Sequence, residues 1–291
     1  MHTPLTTRQV ALVLGISEAS LKRWCDRGLL PADRTLGGHR RLPVHGVVEF
    51  ARSHGLPLAR PELLGLPAAA GRGAAVVERV RDELRRALLD GDEDGFRRLA
   101  FDPWLAGEPL TRVLEQGIAP ALAAVGDDVL HGAAEIYEEA RAVQIALRFL
   151  HEVRALLRPP APDAPLAIGG AAEGDPYVLP TAMVDLCLRE AGWRTQPLGV
   201  GLPLGSLRAA ILDLRPRLVW LSISLAPDPG RLALGWGAVR EAASAVGART
   251  LLGGRALDAG LRVRLPADEH AAGLAGLAPS GGTTPASRRA S

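Results

Sequence analysis

Residues 158–165 read Arg-Pro-Pro-Ala-Pro-Asp-Ala-Pro, four prolines in eight positions. Proline fixes φ and lacks a backbone donor, so this run can extend neither a helix nor a sheet interior. It is a stiff spacer, and the chain must fold as separate units on its two sides. A second break lies upstream, where positions 56–75 are rich in Pro, Gly and Ala and read as a linker. The expected division is a head at 1–55, the linker at 56–75, a helical unit at 76–157, the spacer at 158–165, an α/β unit at 166–278 and a polar, disordered tail at 279–291.

The 291 residues carry a net charge of +2, unevenly placed: the head alone holds +4, leaving −2 for the rest. A small basic unit on a near-neutral body points to a polyanion partner for the head. No run of about 18 apolar residues is present, so no membrane-spanning helix is expected. Residues 1–9 lack the charged-then-apolar pattern of a secretory signal. Cys25 and Cys187 form neither a CxxC pair nor a disulfide framework, which places the chain in a reducing cytoplasm.

Within the head, Thr6-Thr7-Arg8-Gln9 has the form of a capping box. Val10, Ala11, Val13 and Leu14 give the first helix an apolar face, and Gly15 stops it. Ser17 caps a second helix that runs to about Arg27 and stops at Gly28. Two short helices joined by a glycine-containing turn are a helix-turn-helix candidate. Leu29-Leu30-Pro31 and Arg40-Arg41-Leu42 flank Thr35-Leu36-Gly37-Gly38, which reads as a hairpin. A third helix at about 44–53 carries Val47, Val48 and Phe50. Trp24 is a candidate core residue.

From 76 to 157 the pattern is helical. Val76, Val77, Val80, Leu84, Ala87 and Leu88 share one face, residues 109–124 make another helix, and Ile136, Ala140, Val143, Leu147 and Leu150 form a stripe on the last. This is the pattern of an antiparallel bundle. Past the spacer, strands at 166–170, 195–200, 218–224, 250–252 and 261–265 alternate with helices at 180–191, 205–214 and 236–246. The run at 218–224 is nearly all apolar, as in a strand buried on both faces, and the alternation is that of a doubly wound α/β domain.

The head resembles the winged helix-turn-helix of MerR-type and excisionase-like regulators. The resemblance is carried by Thr7-Arg8-Gln9-Val10-Ala11, Leu14-Gly15-Ile16-Ser17, Leu21-Lys22-Arg23-Trp24, Gly28-Leu29-Leu30-Pro31 and the basic run from Arg34 to Arg41. It implies double-stranded DNA as partner. Ser20, Lys22, Arg23 and Arg27 on the second helix would enter the major groove. Arg34, His39, Arg40 and Arg41 on the wing would reach phosphates or an adjacent minor groove.

Residues 76–278 look like a cobalamin-binding module, a four-helix cap followed by a flavodoxin-like domain. Joined to the head, they resemble the light-sensing, cobalamin-dependent repressors of carotenoid genes, in which the dark form oligomerises and holds DNA. The family's cap motif falls on Gly126, Val129, Gly132, Glu139 and Ala140. Here Val129 stands in place of a tryptophan and Ala140 in place of a histidine. The cobalt-ligating Asp-x-His-x-x-Gly falls on Asp175, Tyr177 and Pro180, with Tyr177 in place of the histidine. Ser222 in Ser222-Ile223-Ser224 and the pair Gly253-Gly254 match residues that line the nucleotide tail. A phenol with pKa ~10 is a poor cobalt ligand. His-on ligation is therefore not available at these positions, and His131, beside the cap motif, reads as an exposed loop residue.

The resemblance implies a multidomain fold: a winged helix-turn-helix head, a four-helix bundle cap, and a flavodoxin-like (Rossmann-like) α/β domain with a parallel sheet. Three states of the module stay open: an assembly or partner-docking unit without ligand, cobalamin bound base-on, or another flat chromophore or small molecule. Trp193, Trp220 and Trp236 are candidates to line such a pocket or to fill the core. Asp175 and Glu139 read equally as capping carboxylates. The stretch 169–174 is Gly-rich but is not GxGxxG. No nucleophile elbow, Walker loop, zinc spacing or HExxH is present, so no catalytic or metal-ligating residues are assigned. The expected function is a transcriptional regulator, not an enzyme, acting as a homo-oligomer or with a paralogous regulator.

Overall fold

A computed structural model describes residues 3–67 and 80–277; Val76, Val77 and the expected tail at 279–291 lie outside them. Strand β1 (Leu5–Thr6) enters α1 (Thr7–Leu14) through the capping box. Thr6 Oγ1 accepts from Gln9 N at 3.2 Å, and Gln9 Oε1 accepts from Thr6 N at 2.9 Å. Gly15 ends the helix at φ 64°, a left-handed conformation that glycine adopts without steric cost. Ser17 Oγ accepts from Ser20 N at 3.1 Å and opens α2 (Glu18–Asp26). The wing pairs β2 (Asp33–Arg34) with β3 (Arg40–Leu42), and β1 joins on the far side to give an antiparallel sheet in the order β1-β3-β2. Leu29-Leu30-Pro31, expected as the first wing strand, is not a strand. Leu30 is fully buried in the head's core, and pairing begins only at Asp33. Helix α3 (Val44–Ser53) buries Val47, Val48 and Phe50, and the Phe50 ring lies 5.2 Å from half-buried Trp24.

The first part of the expected linker is packed rather than extended. Ala59 N donates to Val13 O at 2.7 Å, Pro61–Leu64 forms a 3-10 turn, and Leu58, Leu64 and Leu66 are buried.

Four helical arms make the bundle: α4 (Arg81–Asp90), α5 (Glu93–Leu105), α6 (Leu110–Arg112) continuing through a π-turn at Val113–Ile118 into α7 (Ala119–Leu130), and α8 (Ile136–Leu156). Phe96 and Phe101 meet Phe149 of α8 at ring centroid distances of 5.8 and 4.9 Å, all three fully buried. These rings set the rotation of α8. Its buried face is Ala142, Ile145, Ala146, Phe149, Leu150 and Val153, while Ile136 and Ala140 of the expected stripe are exposed. Ala142 and Ala146 let the helices approach closely, and the larger Val143 and Leu147 flank the seam half-buried.

In the α/β domain, β4 (Leu166–Ala171), α9 (Val178–Glu190), β5 (Arg194–Pro197), α10 (Leu204–Leu214), β6 (Leu218–Ser222), α11 (Pro229–Val246), β7 (Arg249–Gly253), α12 (Ala259–Arg264) and β8 (Glu269–His270) alternate in sequence. The five strands are parallel in the order β5-β4-β6-β7-β8, the flavodoxin-like topology. All five residues of β6 are buried. The strand expected at 261–265 is instead helix α12. Asp258 Oδ1 accepts from Leu261 N at 2.7 Å and caps it, and the edge strand is supplied by Glu269–His270. One apolar core runs from the head through the bundle onto α9 and Trp220, and a second, with Trp236, lies under α10 and α11. Helix α9 therefore stands between the bundle and the sheet.

Truncating the α8 anchor by Phe149→Ala removes the ring that both Phe96 and Phe101 touch. A loss of about 3–5 kcal/mol is expected from the urea denaturation midpoint; a loss under about 1 kcal/mol would show that the bundle core does not depend on this cluster.

Candidate functional site

Two regions of the fold gather the residues singled out in the sequence. The first is the outer face of the head. Lys22, Arg23 and Arg27 are exposed on or just after α2 and Ser20 is half-buried, while Leu21 points into the core. Arg23 donates from Nη2 to Ser20 Oγ at 3.0 Å, which aims its guanidinium along the helix surface. Lys22 pairs with Glu18 at 3.2 Å, and the Thr7 hydroxyl together with Lys22 holds the Glu18 carboxyl below the usual range. On the wing, Gly38 at φ 76° closes the tip, where Thr35 N donates to His39 O at 2.9 Å.

Arg34 stands directly opposite Arg40 across the wing, and Asp33 opposite Arg41. Like charges facing each other on a sheet destabilise it. One of the two, Arg40, is relieved by an ion pair to Asp26 at the end of α2, which ties the wing to the helix. Arg34 and His39 remain exposed. At the tip, Leu36 is fully exposed, an apolar side chain presented to solvent. It was visible in the sequence only as a turn residue; its exposure comes from the hairpin geometry.

The second region is the carboxyl edge of the parallel sheet. The loops after β4 and β6 are joined there by the buried Asp175. Its Oδ1 accepts from Tyr177 N at 3.0 Å, and its Oδ2 accepts from Ser224 N at 2.5 Å and Leu225 N at 3.2 Å. Asp175 is thus a carboxylate that fixes two loops to each other. Tyr177, part-exposed, lies under the Arg255 guanidinium at 4.4 Å from its ring centroid. Beside this pair opens a slot of about 380 Å³, lined among others by Glu115, Met183, Trp220, Ser222, Gly253 and Arg255. It lies between α9, the ends of β6 and β7, and the segment at 271–277. Gly254 also lines it, but a side chain there would strike the Ile223 backbone, so its small size is first a packing need. A second cleft of about 650 Å³ opens on the other side of the sheet edge, lined by residues of the α10 and α11 starts, with Glu173 and Arg231 paired at 2.7 Å across it.

Of the nine ligand candidates, Ser222, Gly253 and Gly254 line the slot, and Asp175, Tyr177 and Ser224 form its adjoining loops. Val129, Glu139 and Ala140 sit at the α7–α8 corner and line neither cavity. His131 Nδ1 lies 2.7 Å from Asp127 O at the end of α7, an exposed helix-end contact. Trp220 borders the slot while Trp236 is core, its Nε1 donating to Pro266 O at 2.7 Å. No group of three or more His, Cys, Asp or Glu among the described residues could hold a metal ion, and no helix among them is long and apolar enough to cross a membrane. Glu115, Arg255 and Arg262 line the slot and were not singled out in the sequence; for Arg255, its place directly after Gly253-Gly254 was an available signal.

The two regions are connected. Arg52 of α3 reaches out of the head, donating from Nε to Trp104 O at 2.7 Å and from Nη2 to Glu108 O at 3.0 Å and Glu190 Oε1 at 3.1 Å. Its guanidinium also lies 4.4 Å from the Trp104 ring centroid. Glu190, the last residue of α9, accepts in addition from Trp104 Nε1 at 3.1 Å and from Leu110 N at 2.7 Å. Head, bundle and α/β domain meet at this carboxylate.

Comparison with known proteins follows the same division. Residues 4–55 match a family model described as a helix-turn-helix domain, and residues 80–151 match one described as a B12 binding domain. The HTH-type transcriptional repressor CarA of Myxococcus xanthus is 26% identical over 243 residues, covering 79% of this chain and 80% of that protein. A monomethylamine corrinoid protein of Methanosarcina barkeri has the same fold over 70% of this chain and 97% of its own, with a TM-score of 0.58 and 18% identity. The chain is a helix-turn-helix head, a helical bundle that matches the B12 binding domain model, and an α/β domain with the flavodoxin-like fold of a corrinoid protein.

Asp175→Ala leaves three backbone N–H groups without their acceptor. The expected cost is roughly 2–3 kcal/mol, with faster amide exchange at Tyr177, Ser224 and Leu225; unchanged exchange at these amides would remove Asp175 from this role.

Proposed function

We propose that this chain is a DNA-binding transcriptional regulator whose C-terminal module controls assembly or ligand response. The observation that carries the reading is the way the head is held. It docks on the body through α3 and Arg52, while the basic side of α2 and the wing stays outside that contact. The docked head is therefore competent to meet a duplex. Lys22, Arg23 and Arg27 serve the major groove, and Arg34, His39 and Arg41 serve phosphates, with Leu36 at the wing tip. Arg40 acts chiefly as the tie between wing and helix.

A single head offers few phosphate contacts, and affinity depends steeply on their number. Two or more heads held in one assembly gain through effective concentration. Helix α9 supplies the link from module to head: Tyr177 precedes it, Met183 and Val184 line the slot, and Glu190 at its end grips Arg52. A change in the slot that shifts α9 alters the seat of the head.

The slot fits the nucleotide end of a cobalamin better than it fits the metal. Ser222 and Gly253 would line a tail held in the slot, while Tyr177, which takes the sequence position of the family's ligating histidine, is stacked under Arg255. A bound alkylcobalamin would supply a light-sensitive cobalt–carbon bond. The chain's own residues would hold the group without supplying an imidazole to its metal.

A partner-docking role for the module has one specific support. Leu130, Ile136 and Tyr137 are 82%, 75% and 63% exposed at the α7–α8 corner. This is a surface suited to a second copy or a paralogous regulator. If so, Ile136→Glu with Tyr137→Glu shifts the light-scattering mass to the monomer.

A gel shift of the full chain on the upstream region of its own operon tests the main reading. Binding at low salt that weakens steeply with added salt is expected, and Arg23→Ala with Arg34→Ala should weaken it at least tenfold while lowering the salt slope by about 2. Folded protein that leaves the duplex unshifted at low salt ends the proposal.

A further inference from the structure

We infer that the amino edge of the parallel sheet, with Arg194, Arg215 and Arg217, is a second contact surface for duplex phosphates, met by DNA that continues past the wing. The inference rests on the DNA-binding reading of the head and adds where the flanking duplex runs.

Three observations converge. First, strands of this sheet begin on arginines. Arg194 opens β5, Arg217 immediately precedes β6 and Arg249 opens β7. Backbone bonds set them in a row: Arg194 N donates to Pro165 O at 3.0 Å, Arg217 N to Leu166 O at 2.8 Å and Arg249 N to Arg217 O at 3.0 Å. Neighbouring strands lie ~4.8 Å apart, so Arg194 and Arg217, on either side of β4, stand ~10 Å from each other. Second, Arg215 is held at φ 48° where α10 ends, the one non-glycine residue in the left-handed region among the described residues. Glycine would end this helix without strain. Backbone strain collects at functional positions, and here it holds a guanidinium two residues from that of Arg217. The Arg215 and Arg217 side chains are exposed and have neither ion pair nor hydrogen bond among the described residues. Arg194 makes one contact, from Nη1 to Pro162 O at 3.4 Å, which leaves its charge without a carboxylate. Of the nearby acids, Glu269 is committed to Arg249 at 3.0 Å, and Asp268 accepts from Thr250 N and Oγ1, each at 2.7 Å. Exposed Asp163 in the spacer and Asp213 on α10 offset part of the charge. Three unpaired guanidiniums, each a planar fork of donors, suit phosphate oxygens.

Third, this edge lies on the head's side of the body. Glu190, which grips Arg52, is four residues before Arg194. Arg158, at the start of the spacer, pairs with Glu49 of α3 at 3.6 Å, and Arg194 touches the same spacer at Pro162. Burial lowers the His45 pKa, Glu49 opposes the shift, Arg158 reinforces it and Asp33 opposes it, so the base of the wing and the spacer both lie within reach of one histidine. The order is therefore α2, wing, spacer, Arg194, Arg217. A duplex with α2 in its major groove and the wing at the adjacent minor groove continues in that order toward the sheet edge. Contacts there are to phosphates alone, so they add affinity and salt dependence without reading sequence.

Fluorescence anisotropy of the full-length protein tests this with two duplexes from the upstream region of its own operon. One is the shortest duplex still bound; the other extends it by about ten base pairs, one helical turn, on each side. The wild type should show a salt slope steeper by about 2–3 on the extended duplex, at ~0.9 per phosphate neutralised. Arg194→Gln with Arg215→Gly and Arg217→Gln should remove that gain and weaken the extended duplex by about tenfold or more, with the shortest duplex bound as by the wild type. A second head recruited by the added length would raise the slope in this variant too, so a gain retained there overturns the inference. Arg215→Gly alone should keep or raise the thermal midpoint, because glycine relieves the left-handed strain, while lowering the slope on the extended duplex by about 1.

The inference is equally overturned if the wild type shows no gain on the longer duplex, or if Arg215→Gly lowers the midpoint and leaves the slope unchanged. It is overturned as well if the triple variant weakens both duplexes alike, which would place the effect of these arginines in the fold. Failure of the wild type to bind either duplex overturns the DNA-binding reading with it, whereas binding without the length-dependent gain overturns this inference alone.

Discussion

The carboxylate of Glu190 is the constraint on which the rest of the architecture depends. It receives a guanidinium from the head, an indole N–H from α5 and a backbone N–H from the start of α6, three donors from two other parts of the chain. Arg52 and Glu190 are 17% and 20% exposed, so neither is fully hydrated when apart from the other inside the fold. Burial lowers the Arg52 pKa and the Glu190 charge opposes that shift. A partly buried pair of this kind gains little over an apolar contact, but losing one partner strands the other. Its effect is to fix where the head sits more than to add stability.

Helix α9 gains its importance from the same arrangement. Near its middle, Asp185 pairs with Arg154 of α8 and accepts from Thr195, so the helix is tied to bundle and sheet as well as to the head. Its beginning follows the Asp175 loop, its side forms a wall of the slot and its end holds Arg52. On the proposed reading, coupling between a ligand and DNA would be the rigid displacement of one helix fastened at three points, rather than a diffuse path.

Local signals in the sequence carried much of the fold. The Thr6–Gln9 capping box, the Ser17 cap, the Gly15 stop and the buried β6 run all depend on residues within one element, and each formed where its pattern placed it. Errors arose where competing local patterns or distant contacts decided. The alternation Leu261-Arg262-Val263-Arg264-Leu265 looked like a strand, yet Asp258 three positions before Leu261 was a helix cap in plain sight. The buried face of α8 is turned away from the expected stripe, sharing Leu150 with it, because the Phe96–Phe101–Phe149 cluster draws Ala142, Ile145, Ala146 and Phe149 inward. Arg52 added to the apparent basic charge of the head, but its partner lies 138 positions away, so no local pattern could show that this charge faces inward. The slot was legible only through the resemblance at Ser222 and Gly253; Glu115 and Arg262 come to it from elements whose placement depends on the whole fold.

Amide hydrogen exchange compared between the wild type and Glu190→Gln tests most directly whether one carboxylate seats the head. The account expects faster exchange at the end of α3, from Phe50 to Gly55, and at Leu110, whose N–H the carboxylate accepts, with protection in α1 and α2 retained because the head's own core is untouched. Unchanged protection at both sites would contradict it, and would mean that the head is held by apolar packing alone.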